Sequence, residues 1–336
     1  MSGRLRIIVI VVVLLAVAVL SRLFLYSGDP HVEVAPEVLF SIGGFNVTNS
    51  LFTALLVDII LVTIAFLATR NMQLVPRGLQ NVMEAILEAL YGVLKNISPR
   101  YINVAWPLVA TIFLFVLTSN WLGLIPSATS VGVCHHSEEA SARLAFVREG
   151  PQAGSLQLMP AAAAEGGAYT SCGEGYTLIP WLRPPSTDLN FTLALGLLSF
   201  VFFEYWGFRA LGLGYLKKFF NLNGIMSFVG IIEFISEIIK PIALALRLFG
   251  NIFAGEVLIA VLTFMVPLIL PMPIYAFELF VGFIQALVFA LLTMAFLSIA
   301  TTSHEGEHHG KDEEQSFDPA YTKTPPEVEA ANARGH

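Results

Sequence analysis

Charge is what this sequence has least of. Asp, Glu, Lys and Arg make up 13% of its 336 residues, against about 25% in an ordinary globular domain, and that excludes a soluble enzyme. Cysteine is almost missing too. Cys134 and Cys172 are the only two and cannot staple a disulfide-rich scaffold. Nor is there a basic surplus, since 18 Lys and Arg face 25 Asp and Glu for a formal charge of -7, the wrong balance for a nucleic-acid footprint. Even the acidic excess is local. Residues 302–336 hold eight acids, Glu305 to Glu329, against Lys311, Lys323 and Arg334, which leaves -5 in the tail and a nearly neutral body. What fills that body is apolar: 56% of residues are hydrophobic and the mean hydropathy is +0.73.

A bilayer core about 30 Å thick needs about 20 apolar residues per helix, and several segments are that long. Residues 7–25 follow Arg4 and Arg6 and make 1–28 either a cleaved signal peptide, with a weak A-x-A site at Ala16 and Ala18, or a retained anchor. The next segment, 29–48, carries Asp29, Glu33 and Glu37 without a base and reads as extracytoplasmic. Residues 49–126 then hold two membrane helices, about 50–69 and 106–125. Arg70 and Arg77 close the first, so the positive-inside rule directs it inward. Between the two, 78–100 sets Leu79, Val82, Ile86, Leu90 and Val93 at helical spacing opposite Glu84, Glu88 and Lys95, as an amphipathic helix on the inner surface would.

Residues 127–187, rich in Gly, Ala, Ser and Pro, form an extracytoplasmic loop. Both cysteines fall there, on the oxidising side, where a Cys134–Cys172 disulfide is permitted. The alternative is a metal held by Cys134, His135 and His136, but no second ligand cluster accompanies them. A further helix, 189–208, returns to Arg209, Lys217 and Lys218. The rest of the core, 188–301, contains a segment at 228–266 too long for a perpendicular span, then Pro267, Pro271 and Pro273, then a last helix at 275–300. These read as a hairpin of long tilted helices. The fold class is therefore an all-α membrane protein with five to six membrane helices, an inner-surface amphipathic helix and a disordered, acidic, cytoplasmic tail at 302–336.

A charged side chain at mid-membrane costs about 2.5 to 3.5 kcal/mol on insertion scales, so it is expected to face protein or water. The hairpin carries six. Glu233, Glu237, Lys240, Arg247 and Asn251 fall within about 80° of arc on a helical wheel and make one polar stripe. Glu256 points half a turn away. On the last helix Glu278 and Gln285, seven residues apart, share a face, so that Glu256 and Glu278 can meet across the hairpin. The bland explanation is internal glue, with Lys240 on Glu237 and Arg247 on some acid. For Arg247 no acid lies within a helical turn. Arginine is not deprotonated in proteins, so Arg247 is a fixed cation that cannot relay a proton itself, and an acid within about 4 to 6 Å of it has its pKa lowered by about 1 to 3 units.

The run from Ser236 to Leu258, SEIIKPIALALRLFGNIFAGEVL, resembles the signature of subunit a of rotary F-type ATP synthases. Similarity extends to PLVATIFLFVLTSNWLGLIP from Pro107, DLNFTLALG from Asp188 and FIQALVFALLTMAFLSIA from Phe283, and covers about residues 40–301. The resemblance implies a membrane stator beside a ring of c subunits, each with one essential carboxylate reached through two offset aqueous half-channels. The motif's essential arginine, here Arg247, separates the half-channels. Asn251, Glu256, Glu278 and Gln285 would line the outer half-channel and proton path, and Glu233 the inner exit. The family's second carboxylate position alternates between His and Glu; here it is Glu278. The resemblance also implies peripheral-stalk b subunits as partners, surrounding lipid, the whole ATP synthase complex, and a bacterial-type inner membrane with the basic N-terminal end and the tail cytoplasmic. Two features depart from the pattern: the outer loop is longer than usual, and the tail is extended, acidic and His-bearing.

Other signals are discounted. His304, Glu305 and His308 spell H-E-x-x-H, the zinc-protease spacing, but in a Gly- and Glu-rich tail without an apolar helical face, so no metal is expected. No G-x-x-x-x-G-K-[ST] loop exists, so direct ATP binding is not expected, nor is a cofactor. Ion transport without covalent catalysis is the reading. A self-contained secondary transporter would show internal repeats, and none is visible; a scaffold protein would tolerate neutralisation of the polar stripe.

Overall fold

The computed structural model describes residues 12–13, 16–17, 19–20, 34–125, 132–136, 176–212, 214–215, 225–266 and 269–302. Six helices dominate them: α1 (Asn49–Thr69), α2 (Leu79–Ile97), α3 (Ile102–Gly123), α4 (Leu189–Leu211), α5 (Ile225–Met265) and α6 (Pro271–Thr301). All but α2 are long and apolar enough to cross a membrane. The helical reading holds, with starts a few residues earlier than the hydrophobic runs suggest. Polar caps fix two of the starts: Thr48 Oγ1 accepts from Leu51 N at 3.3 Å to open α1, and Asp188 Oδ1 accepts from Asn190 N at 2.9 Å to open α4. Inside the helices, hydroxyls of Thr53, Thr63, Thr111, Thr263 and Thr293 donate to the carbonyl four residues back, which satisfies them without water.

Two antiparallel ribbons add to this body. β1 (Val38–Ile42) pairs with β2 (Phe45–Thr48) through Gly43 and Gly44, whose φ of 59° and 89° suit glycine. β3 (Gly132–His136) pairs with β4 (Tyr176–Pro180). A 3-10 turn, Pro185–Thr187, leads into α4.

α6 is the centre of the bundle, packed on α2, α3, α4 and α5. Val109, Phe113 and Val116 of α3, Phe203 of α4, Leu244 and Leu248 of α5, and Ala286, Phe289, Met294 and Leu297 of α6 form one buried cluster. Small residues let backbones approach, as expected where lipid removes the hydrophobic drive. A Cβ on Gly196 would sit 2.7 Å from the Pro241 carbonyl oxygen, and one on Gly207 would sit 3.1 Å from that of Ala300. α2 buries Leu90 and Leu94 and half-buries Met83, Ile86 and Leu87, while Leu79, Val82 and Val93 stay exposed. Its covered face is thus rotated from the expected one, toward α1, α3 and α6, which pack on it.

Hydrogen bonds between elements fix the ends. Trp121 Nε1 donates to Leu279 O at 3.0 Å and Asn120 Nδ2 to Gly282 O at 3.3 Å, so the end of α3 meets the start of α6. Ser50 Oγ donates to Asp188 Oδ2 at 2.9 Å, which joins the starts of α1 and α4. This is the loop end. The opposite, basic end carries Arg70, Arg77, Lys95, Arg100 and Arg209.

Candidate functional site

The polar stripe of α5 divides in two. Near the basic end Glu237 is buried and pairs with Lys240, whose Nζ lies 5.9 Å from the Phe203 ring centre and 5.5 Å from that of Phe296. Glu233, one turn earlier, is half-buried. Two turns beyond Lys240, Arg247 and Asn251 are exposed together with Ala243, Leu246 and Gly250. The wheel places these residues on one face, but cover depends on the neighbour. Phe203 and Phe296 close over Lys240, while the bundle draws in Leu244, Ala245, Leu248 and Ile252 and leaves the other side of α5 open. Among the described residues Arg247 makes no ion pair and no side-chain hydrogen bond.

At the loop end a second polar site is built from five elements. Arg183, 5% exposed, is delivered by the segment before the 3-10 turn. Its backbone N–H donates to Thr53 Oγ1 of α1 at 3.1 Å, its Nε to Thr187 Oγ1 at 3.1 Å, and its guanidinium to Ala35 O at 2.9 Å. Nε also lies 3.5 Å from Glu256 Oε1 of α5. Beside it Ser186 Oγ donates to Asn120 Oδ1 of α3 at 2.7 Å. Glu256 Oε2 is buried and accepts no hydrogen bond.

On α6, Glu278 and Gln285 are both buried on the inner face, as their spacing requires. The Glu278 carboxyl lies against the α-carbon of Gly255, occupying the space a side chain there would take. Glu278 thus reaches the residue before Glu256, while Glu256 itself turns to Arg183. The spacing of the hairpin residues alone did not show Arg183, Asn120, Ser186 or Asp188. The only sequence hint is an arginine in a loop with more acids than bases, five residues before a helix cap. Cys134, His135 and His136 lie on β3, whose side chains are outside the described set, and Cys172, His304, Glu305 and His308 lie outside the described residues altogether.

A fixed cation thus sits on the open face of a membrane helix, with two carboxylates, Glu256 and Glu278, at the loop end of the same helix pair. The family model described as ATP synthase A chain matches residues 50–298, which run from α1 into α6 and include every one of these helix residues. The chain belongs to the ATP synthase A chain family. It is 33% identical over 279 residues to ATP synthase subunit a of Gloeobacter violaceus, covering 82% of this chain and 94% of that one. It is 29% identical over 273 residues to ATP synthase subunit a of Moorella thermoacetica, covering 81% and 99%. Membership and the five long apolar helices together make it a multi-pass membrane protein.

Proposed function

We propose that this chain is the proton-conducting stator of an F-type ATP synthase. It passes protons through two half-channels to and from the carboxylates of a c-subunit ring, and it is held by peripheral-stalk b subunits. The positive-inside rule puts the basic end, and with it both the N-terminal basic residues and the tail, in the cytoplasm of a bacterial-type cell. The loop end then faces outward. There Glu256, Glu278 and Gln285, with Asn251 deeper on α5, carry protons from the outer water toward the ring. At the basic end Glu233 belongs to the exit.

The observation that carries this reading is Arg247, exposed on the open face of α5 without an ion pair among the described residues. A cation so placed in a bilayer needs a partner from another chain, since leaving it alone in hydrocarbon costs at least about 2.5 kcal/mol. A ring carboxylate meets that need only in its ionised form. On reaching Arg247 it gives up its proton toward the basic end, and on leaving it reloads from the loop end. Each proton crossing releases about 2.3 kcal/mol per 100 mV. The reading involves no chemistry on ATP by this chain.

The test is cross-linking in the native membrane. Leu246→Cys, on the exposed face beside Arg247, should join a small two-helix proteolipid that bears a mid-membrane carboxylate, whereas Leu193→Cys, exposed on α4, should not. Failure of both to reach such a proteolipid in an assembled complex would remove the ring from this face.

A further inference from the structure

The basic end holds a buried titratable cluster that the proposed route does not use. Glu204 of α4 is half-buried and accepts a hydrogen bond from the Tyr215 hydroxyl at 3.0 Å. Glu237 of α5 lies within side-chain hydrogen-bonding reach of Glu204, and Lys240 donates to Glu237. Phe203 and Phe296 wall the ammonium on two sides. Tyr215 is 1% exposed. Burial first, and the nearby Glu204 carboxylate next, push its hydroxyl above the usual phenol range, so it remains a neutral donor.

Ionised carboxylates are acceptors only, so Glu204 and Glu237, side by side, can bond to each other only through a proton held between them. The two acids bridge α4 and α5, with Glu233 one turn away on α5.

Building on the stator reading, we propose that Glu204 is a further proton-carrying residue: with Glu237 it forms a one-proton relay between the ring-facing side of α5 and the basic end. In each passage a carboxyl O–H bond breaks toward water at the basic end, and a carboxylate oxygen takes up the next proton from the incoming side. Only O–H bonds are made and broken. Tyr215 and Lys240 hold the two acids in register.

The experiment uses the whole complex in inverted membrane vesicles, with complex abundance measured beside ATP-driven acidification. Glu204→Gln keeps the shape and hydrogen bonds but cannot carry a proton, and it should lower acidification about tenfold or more at unchanged abundance. Glu204→Asp should recover most of it, and Glu237→Gln, the second variant, should reproduce the loss. Arg247→Ala is run in parallel. Parental pumping by Glu204→Gln while Arg247→Ala is dead overturns the relay and leaves the stator reading standing. Normal pumping by Arg247→Ala overturns the stator reading itself. Flux and abundance falling together in the Gln and Asp variants alike mark the cluster as glue and overturn the relay as well.

Discussion

Arg183 lies 3.5 Å from Glu256, and this contact ties the segment entering α4 to the carboxylate that α5 presents at the loop end. Glu256 therefore has a cation on its outer side, Arg183, and a second one, Arg247, nine residues deeper on its own helix. Arg183→Gln strips the outer one. Breaking a fully buried pair costs about 3 to 5 kcal/mol, but the Glu256 side chain is 31% exposed, which reduces the expected cost to about 1 to 2 kcal/mol. Thermal melting of the purified complex should show a small loss, and ATP-driven acidification should fall several-fold more than abundance does. Arg183→Lys, which keeps the charge, should retain more flux than Arg183→Gln; equal defects in the two would make hydrogen bonding, not charge, the working property.

Gly255 tests the packing of the hairpin. An added methyl must displace the Glu278 carboxyl, and overpacking of this kind costs about 1 to 3 kcal/mol. Gly255→Ala should reduce both stability and flux. Gly92→Ala, on the exposed side of α2 with open space around it, should be neutral or slightly stabilising, because Ala is the better helix former by about 1 kcal/mol.

Asp188 caps α4 and accepts from Ser50. Asp188→Ala removes both bonds and should cost about 1 to 3 kcal/mol. Asp188→Asn, which can still accept at the cap, should lose less. Protease sensitivity of the loop end, compared between the two variants, reads this directly, and equal sensitivity would argue against the cap.

Much of the fold was legible because membrane crossing is a one-dimensional property: an apolar run long enough to span announces itself, and α1, α3, α4, α5 and α6 all did. The β1–β2 ribbon went unread, although Gly43-Gly44 sits between its two short strands. The β3–β4 ribbon did not, since some forty residues separate its strands. The α5 stripe shows the limit of periodicity. Spacing puts Glu233, Glu237, Lys240, Arg247 and Asn251 on one side of α5, but whether a residue is covered depends on Phe203 and Phe296 from other helices. Arg183 was hidden for the same reason. Its partner lies beyond the whole of α4, and no local spacing reports a contact made that far along the chain.

Glu256 and Glu278 are the loop-end acids of the hairpin, the first held by Arg183 and the second set against Gly255. Replacing both by Gln should slow proton flux by tenfold or more while complex abundance changes little. Equal loss of flux and abundance would show that they serve packing.

Arg247 is where the function stands or falls. With the complex assembled, proton pumping in inverted vesicles and ATP synthesis in energised ones are measured for Arg247→Ala and Arg247→Lys. Both activities should vanish in the Ala variant and recover little in the Lys variant, whose ammonium lacks the planar, always-charged fork of the guanidinium. Normal pumping by either would contradict a ring carboxylate being discharged at this residue.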